Sequence, residues 1–313
     1  MIFNIILLVA AFFVAWTIGA ISISPSFGPA ANFGKFGVLR GALLAGIFGF
    51  LGATTQGGEV AETIGSGLIT GAEISIEVNA IILIVSAVLI SIGIITNIPI
   101  PTVFVVVGGV LGAGLAIEGA LWNMAQVRTL TIVWILTPFL AMGISYAVSK
   151  AIRTYIGRSK RERMILGNIL ILVGAFSAYA GGANKIGLAI GLIEGQFEVS
   201  LLLLLVAGGL FILLGAWLGG PGIVNAVSKD YSEMGVRRAI SALASAGILA
   251  QVATVLGIPI SLNEAIIGAV IGCGLAGGVD KIEGGKIGKT VLEWVGTLFA
   301  SMGFIFAIVY LVF

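Results

Sequence analysis

Apolar residues run along this chain in stretches of about twenty, parted by short polar or glycine- and proline-rich intervals. A bilayer core takes about 20 apolar residues as a helix, so each stretch predicts a membrane segment. The windows fall at 2–18, 38–56, 79–96, 98–117 and 127–150, then at 164–180, 200–218, 239–256, 264–277 and 287–312. Five lie on each side of one basic interval. The stretches 98–117 and 264–277 are the weakest spans, because Pro99 and Pro259 stand at their starts and the second is short; either can re-enter the membrane on the side it left. No positive residue precedes the first stretch and no compact small-residue cleavage site closes it, so it reads as a retained helix and not as a signal peptide.

Composition narrows the function classes. Of 313 residues, 59% are apolar and 10% charged, beyond what a water-soluble core needs. Glycine occupies 47 positions, many inside the apolar windows, where membrane helices use small residues for close packing. There is no histidine, which excludes imidazole metal sites and Ser-His or Cys-His nucleophiles. Cys273 is the sole cysteine, so there is no intrachain disulfide. The two aspartates, Asp230 and Asp280, both lie in polar intervals, against an intramembrane aspartyl pair or an Asp-rich magnesium site. No enzyme, metal or cofactor is expected. The net charge of +2 arises from local clusters and implies no nucleic-acid partner.

Basic residues orient the segments. Lys150, Arg153, Arg158, Lys160, Arg161 and Arg163 crowd the central interval, which is therefore placed in the cytoplasm. Alternation from there puts Lys35, Arg40, Lys229, Arg237, Arg238, Lys281, Lys286 and Lys289 on the same face. Glu59, Glu62, Glu73, Glu77, Glu118, Glu194 and Glu198 fall on the other, and both termini face outward. The expectation is a multi-pass protein of the cell membrane, with the lipid bilayer as its surroundings.

The chain is also self-similar. IPIPTVFVVVGGVLGAGLA at 98–116 aligns without a gap on IPISLNEAIIGAVIGCGLA at 258–276, 160 positions on, and the same offset pairs Trp134 with Trp294 and Thr137 with Thr297. Slightly larger offsets pair Gly19-Ala20 with Gly182-Ala183 and Gly57-Gly58 with Gly219-Gly220. A duplicated unit with an odd number of crossings turns its second copy upside down, the plan of inverted-repeat secondary transporters with discontinuous helices. The predicted fold is an all-α integral membrane protein of about 10–12 segments. Its first repeat is 1–156, its basic linker 157–163 and its second repeat 164–313.

In such a plan the substrate site lies where helices break. The first break is Gly19 to Pro29, with two prolines and the hydroxyls of Ser22, Ser24 and Ser26. The second is Ser177 to Gly187, which contains Asn184 and Lys185, the one lysine outside the basic clusters. A membrane-embedded ammonium is costly unless it works, and with helix N-termini and hydroxyl donors it suits an anion. The bland reading has the serines bonding back to their own helix and Lys185 reaching the outer interface. The Gly-x-x-x-Gly spacings at Gly108/Gly112, Gly268/Gly272 and Gly215/Gly219 read as helix packing. Two apparent nucleotide motifs, at 272–277 and 288–290, lack the strand that each requires.

These features resemble the inorganic phosphate transporter (PiT) family, whose halves each carry a GANDVAN-type motif followed by a PVSTTH-type motif. Gly19-Ala20 and Gly182-Ala183-Asn184 stand at the first motif, and Ile98 to Pro101 and Ile258 to Ser261 at the second. The resemblance runs from Gly19 to the final segment and implies a homodimeric secondary transporter of a tetrahedral oxyanion. The departures bear on substrate. Ser22 and Lys185 replace the motif aspartates, and Gly49 stands for the acid of the family's IFEFLG-like stretch. Sodium needs oxygen ligands, so sodium coupling is not expected. Hydrogen phosphate carries an O–H that wants an acceptor, whereas sulfate wants only donors, so lost acids and a gained lysine favour sulfate. The chain looks like the family's sulfate-permease branch, with phosphate as the alternative anion and a channel as a further one. Ser22, Ser24, Ser26, Asn184 and Lys185 are the expected anion contacts. Glu264, where the second motif has its His, is the candidate for proton coupling or for pairing with Lys185; its bland reading is a segment-end acid at the interface.

Overall fold

A computed structural model of the chain describes residues 2–33, 36–96, 100–157, 159–225, 235–278 and 284–313. Lys35, Ile98, Pro99, Arg158, Lys229, Asp230, Asp280 and Lys281, invoked above, lie outside the described residues. The apolar windows are helices. They are α1 (Ile2–Ile18), α3 (Val38–Gln56), α5 (Ile76–Thr96), α6 (Thr102–Ala116) and α7 (Met124–Tyr155) in the first half. In the second they are α8 (Lys160–Lys185), α10 (Leu201–Leu214), α11 (Val236–Val255), α12 (Leu262–Leu275) and α13 (Gly284–Val312). Three short helices, α2 (Gly28–Asn32), α4 (Gly58–Glu62) and α9 (Gly187–Ile190), extend α1, α3 and α8. One antiparallel pair of two-residue strands, β1 (Ile69–Thr70) and β2 (Leu121–Trp122), is the sheet among the described residues.

Among the described residues, seven helices are long and apolar enough to cross a membrane. The two doubtful windows are not among them. Helices α6 and α12 have 15 and 14 residues, about 22 Å at 1.5 Å per residue, short of the ~30 Å hydrocarbon core. Each starts from extended backbone, at Pro101 and Ser261. Helix α6 is buried from Thr102 to Gly114, so it is an interior element and not a lipid-facing one.

Two boundaries differ from the sequence reading. Helix α8 begins at Lys160, because Ser159 and Glu162 close a capping box over its first turn. Arg161 and Arg163 therefore stand on a helix, and the interval between α7 and α8 is shorter than 157–163. The Glu162 carboxylate accepts from the N–H groups of Ser159 and Gly157. At its other end α8 runs through Gly181-Gly182 to Lys185 without interruption, although the glycines predicted a break from Ser177. The first break is also milder than predicted. Helix α1 passes into a π-helical turn (Gly19–Ile23), a 3-10 turn (Ser24–Phe27) and α2, and the prolines are the second residues of the last two, in the first turn where no N–H is needed.

The glycines explain why α8 stays whole: they are sites of backbone contact. A Cβ on Gly182 would lie 2.1 Å from the Gly49 carbonyl oxygen, and one on Gly52 1.9 Å from that of Tyr179, so α8 and α3 touch through their main chains. The matching contacts join Gly19 to Ile212 at 2.0 Å and Gly215 to Trp16 at 1.9 Å. Gly108 and Gly112 rest on the carbonyls of Leu298 and Met302, while Gly268 and Gly272, 160 positions on, rest on those of Pro138 and Met142. Thus α6 packs along α13 and α12 along α7, each half lending a short interior helix to a long helix of the other.

Candidate functional site

The end of α8, the start of α6 and the extended stretch before α12 meet at Asn184 and Lys185. Asn184 is fully buried; its Nδ2 donates to Thr254 Oγ1 (3.1 Å) and to the Ile258 carbonyl (2.9 Å), and its Oδ1 accepts from the Ile260 N–H (2.9 Å). This side chain fastens residues 258–260 to α8 and α11. Both of its N–H groups are taken, so in this conformation it holds the site's wall and offers no donor inward.

Lys185 is 3% exposed, and its Nζ donates to Thr102 Oγ1 at 3.2 Å, across from the first residue of α6. The amine therefore does not reach the outer interface, as snorkelling would require. Opposite, at the start of α12, stand Ser261 and Glu264, 1% and 2% exposed; Ser261 Oγ and Glu264 Oε2 are buried without a hydrogen-bond partner. Glu264 is thus inside the protein, not at a segment end in the interface. It lies within Coulombic reach of Lys185. Neither α6 nor α12 has a side-chain cap, so their first N–H groups and positive helix ends face this space uncovered by local side chains. Trp134 Nε1 donates to the Pro259 carbonyl at 2.8 Å, and Phe104 meets the Trp134 ring edge-on at 4.7 Å, which fixes one apolar flank.

The serines of the first break do not join this group by any hydrogen bond. Ser24 is fully buried and donates to the Ala20 carbonyl of its own turn at 2.5 Å. Ser26 is buried and Ser22 partly so. Polar side chains that the sequence reading passed over form two further sets. Thr102, Thr254 and Ser261 are one set. A second, along α3, α8 and α11, has Gln251 Nε2 donating to Gln56 Oε1 at 2.5 Å and Thr55 Oγ1 bonded to Tyr179 Oη at 2.8 Å, with Thr54 Oγ1 and Gln251 Oε1 buried and unpartnered. The signal was present as Thr54-Thr55-Gln56 and Gln251, uncharged polar residues inside apolar windows.

The sequence matches the phosphate transporter family twice, over residues 18–166 and 157–304. It is 29% identical over 304 residues to the sulfate permease CysP of Bacillus subtilis, covering 95% of this chain and 84% of that protein. It is 24% identical over 384 residues to a protein of Pyrococcus furiosus bearing a phosphate-permease name, covering 95% and 93%. A solved structure titled as the sodium-dependent phosphate transporter superposes with a TM-score of 0.85 over all of both chains at 22% identity, a likeness of fold.

Proposed function

Since this chain belongs to the phosphate transporter family, a family of membrane permeases rather than enzymes, we propose that it carries sulfate by alternating access around the Lys185 site. The observation behind this reading is a lysine buried to 3% at the point where α8, α6 and the stretch before α12 converge. The donors available to an anion are Lys185 Nζ, the hydroxyls of Thr102 and Ser261 and the uncapped N–H groups of α6 and α12. A fully deprotonated tetrahedral dianion uses all of them, and a buried donor left unmet costs ~1–3 kcal/mol.

Glu264 completes the mechanism. In the empty site its charge balances Lys185 through space. One ammonium cannot balance both a carboxylate and a dianion, so loading the site is met by a proton on Glu264, which couples sulfate to protons and leaves no role for sodium. Asn184 positions the wall, and the first-break serines shape the helix opposite. The two repeats, 1–156 and 164–313, rock in opposite orientations, with the basic linker in the cytoplasm and two copies forming the working dimer. Phosphate is the second reading, favoured by the phosphate-permease name of a relative over 95% of this chain. Uptake of radiolabelled sulfate into proteoliposomes, with phosphate and sulfate each competing against the other, decides between them: tenfold weaker competition by phosphate is expected, and the reverse order assigns the chain to phosphate.

A further inference from the structure

A second cationic group lies on the face that carries the basic interval, apart from Lys185. Three helix ends meet there: the last turn of α7, the first turn of α11 and the turn that follows α12. Arg237 is already engaged, donating to the carbonyls of Ile156 and Gly157. Among the described residues, its neighbour Arg238 and Arg153 of α7 have no such partner. Their Nη2 atoms lie 3.0 and 2.6 Å from the point a Cβ on Gly277 would occupy, so the two guanidinium groups share the space that a side chain at Gly277 would fill. Both also lie within Coulombic reach of Cys273.

Nothing described here neutralises them. Among the described residues no carboxylate pairs with either, and neither caps the end of α12, where the carbonyls of Gly272, Gly274 and Leu275 accept from the N–H groups of Ala276, Gly277 and Gly278. The dipole at that end is worth about half a charge against two full ones. The start of α11 adds positive potential, because its cap is Gly235, which has no side chain to offer. Two forked donors converging, with no counter-charge among the described residues, match an oxyanion that accepts from both. The surroundings are those of a membrane rim: Leu275 and Tyr155 are exposed, and Lys150 lies over the Tyr146 ring at 5.6 Å.

We propose that Arg153 and Arg238 bind a tetrahedral phosphate-type oxyanion, as borne by an anionic phospholipid headgroup or free in solution. The site is separate from that of transport. The test uses the full chain in neutral detergent, with phosphatidylglycerol, phosphatidylcholine, inorganic phosphate and sulfate as probes, read by native mass spectrometry and by thermal stabilisation. Wild type is expected to prefer phosphatidylglycerol over phosphatidylcholine by about tenfold, and the double variant R153Q/R238Q to lose that preference. Gly277→Ala, which keeps both charges but displaces them, is expected to lose part of it. Lys150→Gln, a charge removed from the same face, and Lys185→Ala, in which the proposed transport site is gone, are expected to keep it. If stabilisation follows inorganic phosphate or sulfate and not lipid, yet still needs both arginines, the ligand is the free anion and the site stands. Equal retention of both lipids with no effect of free anion, wild-type behaviour of the double variant, or an equal loss in Lys150→Gln overturns the proposal.

Discussion

The two stretches where glycines predict a helix break, around Gly19 and around Gly182, are alike in packing and unlike in chemistry. At the first, Gly19 lets α1 touch the backbone of α10; at the second, Gly182 lets α8 touch the backbone of α3, by the same kind of contact at matched positions. Beyond that the likeness ends. The first continues through a π-turn and a 3-10 turn, and its Ser24 bonds within its own turn. The second runs on as regular helix to Asn184 and Lys185, whose side chains reach α11, the stretch before α12 and α6. At the offset that pairs Gly19 with Gly182, Asn184 answers to Ile21 and Lys185 to Ser22. The scaffold is doubled and the reactive side chains are not. Backbone contact depends only on glycine spacing, which both halves keep, whereas a single ammonium is enough for one anion and a second would have to be balanced again.

Breaking that comparison at its extremes gives the largest effects. Lys185→Ala is expected to lower sulfate uptake by about 100-fold while the protein still elutes as a folded species, because it removes the site's cation and leaves the glycine contacts untouched. Uptake at the parental rate would remove the site. Gly272→Val and Gly112→Val test the doubled scaffold: both force side chains into carbonyls that a Cβ would already approach within 2.0 and 2.2 Å, so both are expected to lower the melting temperature by a similar, large amount. Unequal losses would mean that the two exchanged helices are not equivalent supports. Glu264→Gln is expected to keep sulfate binding but to lose the several-fold rise in uptake driven by an inward proton gradient, measured in vesicles with imposed pH differences. A variant still driven by that gradient assigns coupling elsewhere. The smallest effect belongs to the first break. Ser24→Ala removes a bond to its own helix and is expected to change uptake less than about threefold.

Most of the fold was legible in the sequence because the bilayer dictates it. Window lengths gave the helices to within a few residues, and Pro99 and Pro259 marked the two short ones. The exchange of α6 and α12 between the halves was not legible: periodicity says which residues are apolar, and only the third dimension says which carbonyl a glycine meets. The repeat itself misled at Ser177 to Gly187, where two adjacent glycines predict a break in isolation but act as a contact surface once α3 is beside them. For the site, Lys185 and Glu264 stood out because charge is rare in these windows. Thr102 and Ser261 did not, since a hydroxyl at a helix start is ordinary, and only the fold brings Thr102 to the Lys185 ammonium and buries Ser261 Oγ without a partner.

The exchange has a consequence for how the molecule is made. When the ribosome has completed the first half, α7 still lacks α12, and α6 has its glycine face turned to a helix not yet synthesised. Neither half can reach its final packing alone. Two fragments divided at the basic linker should therefore be degraded when expressed singly and rescued when expressed together, and during transport α6 must travel with α13, and α12 with α7, as interlocked pairs that straddle the genetic boundary.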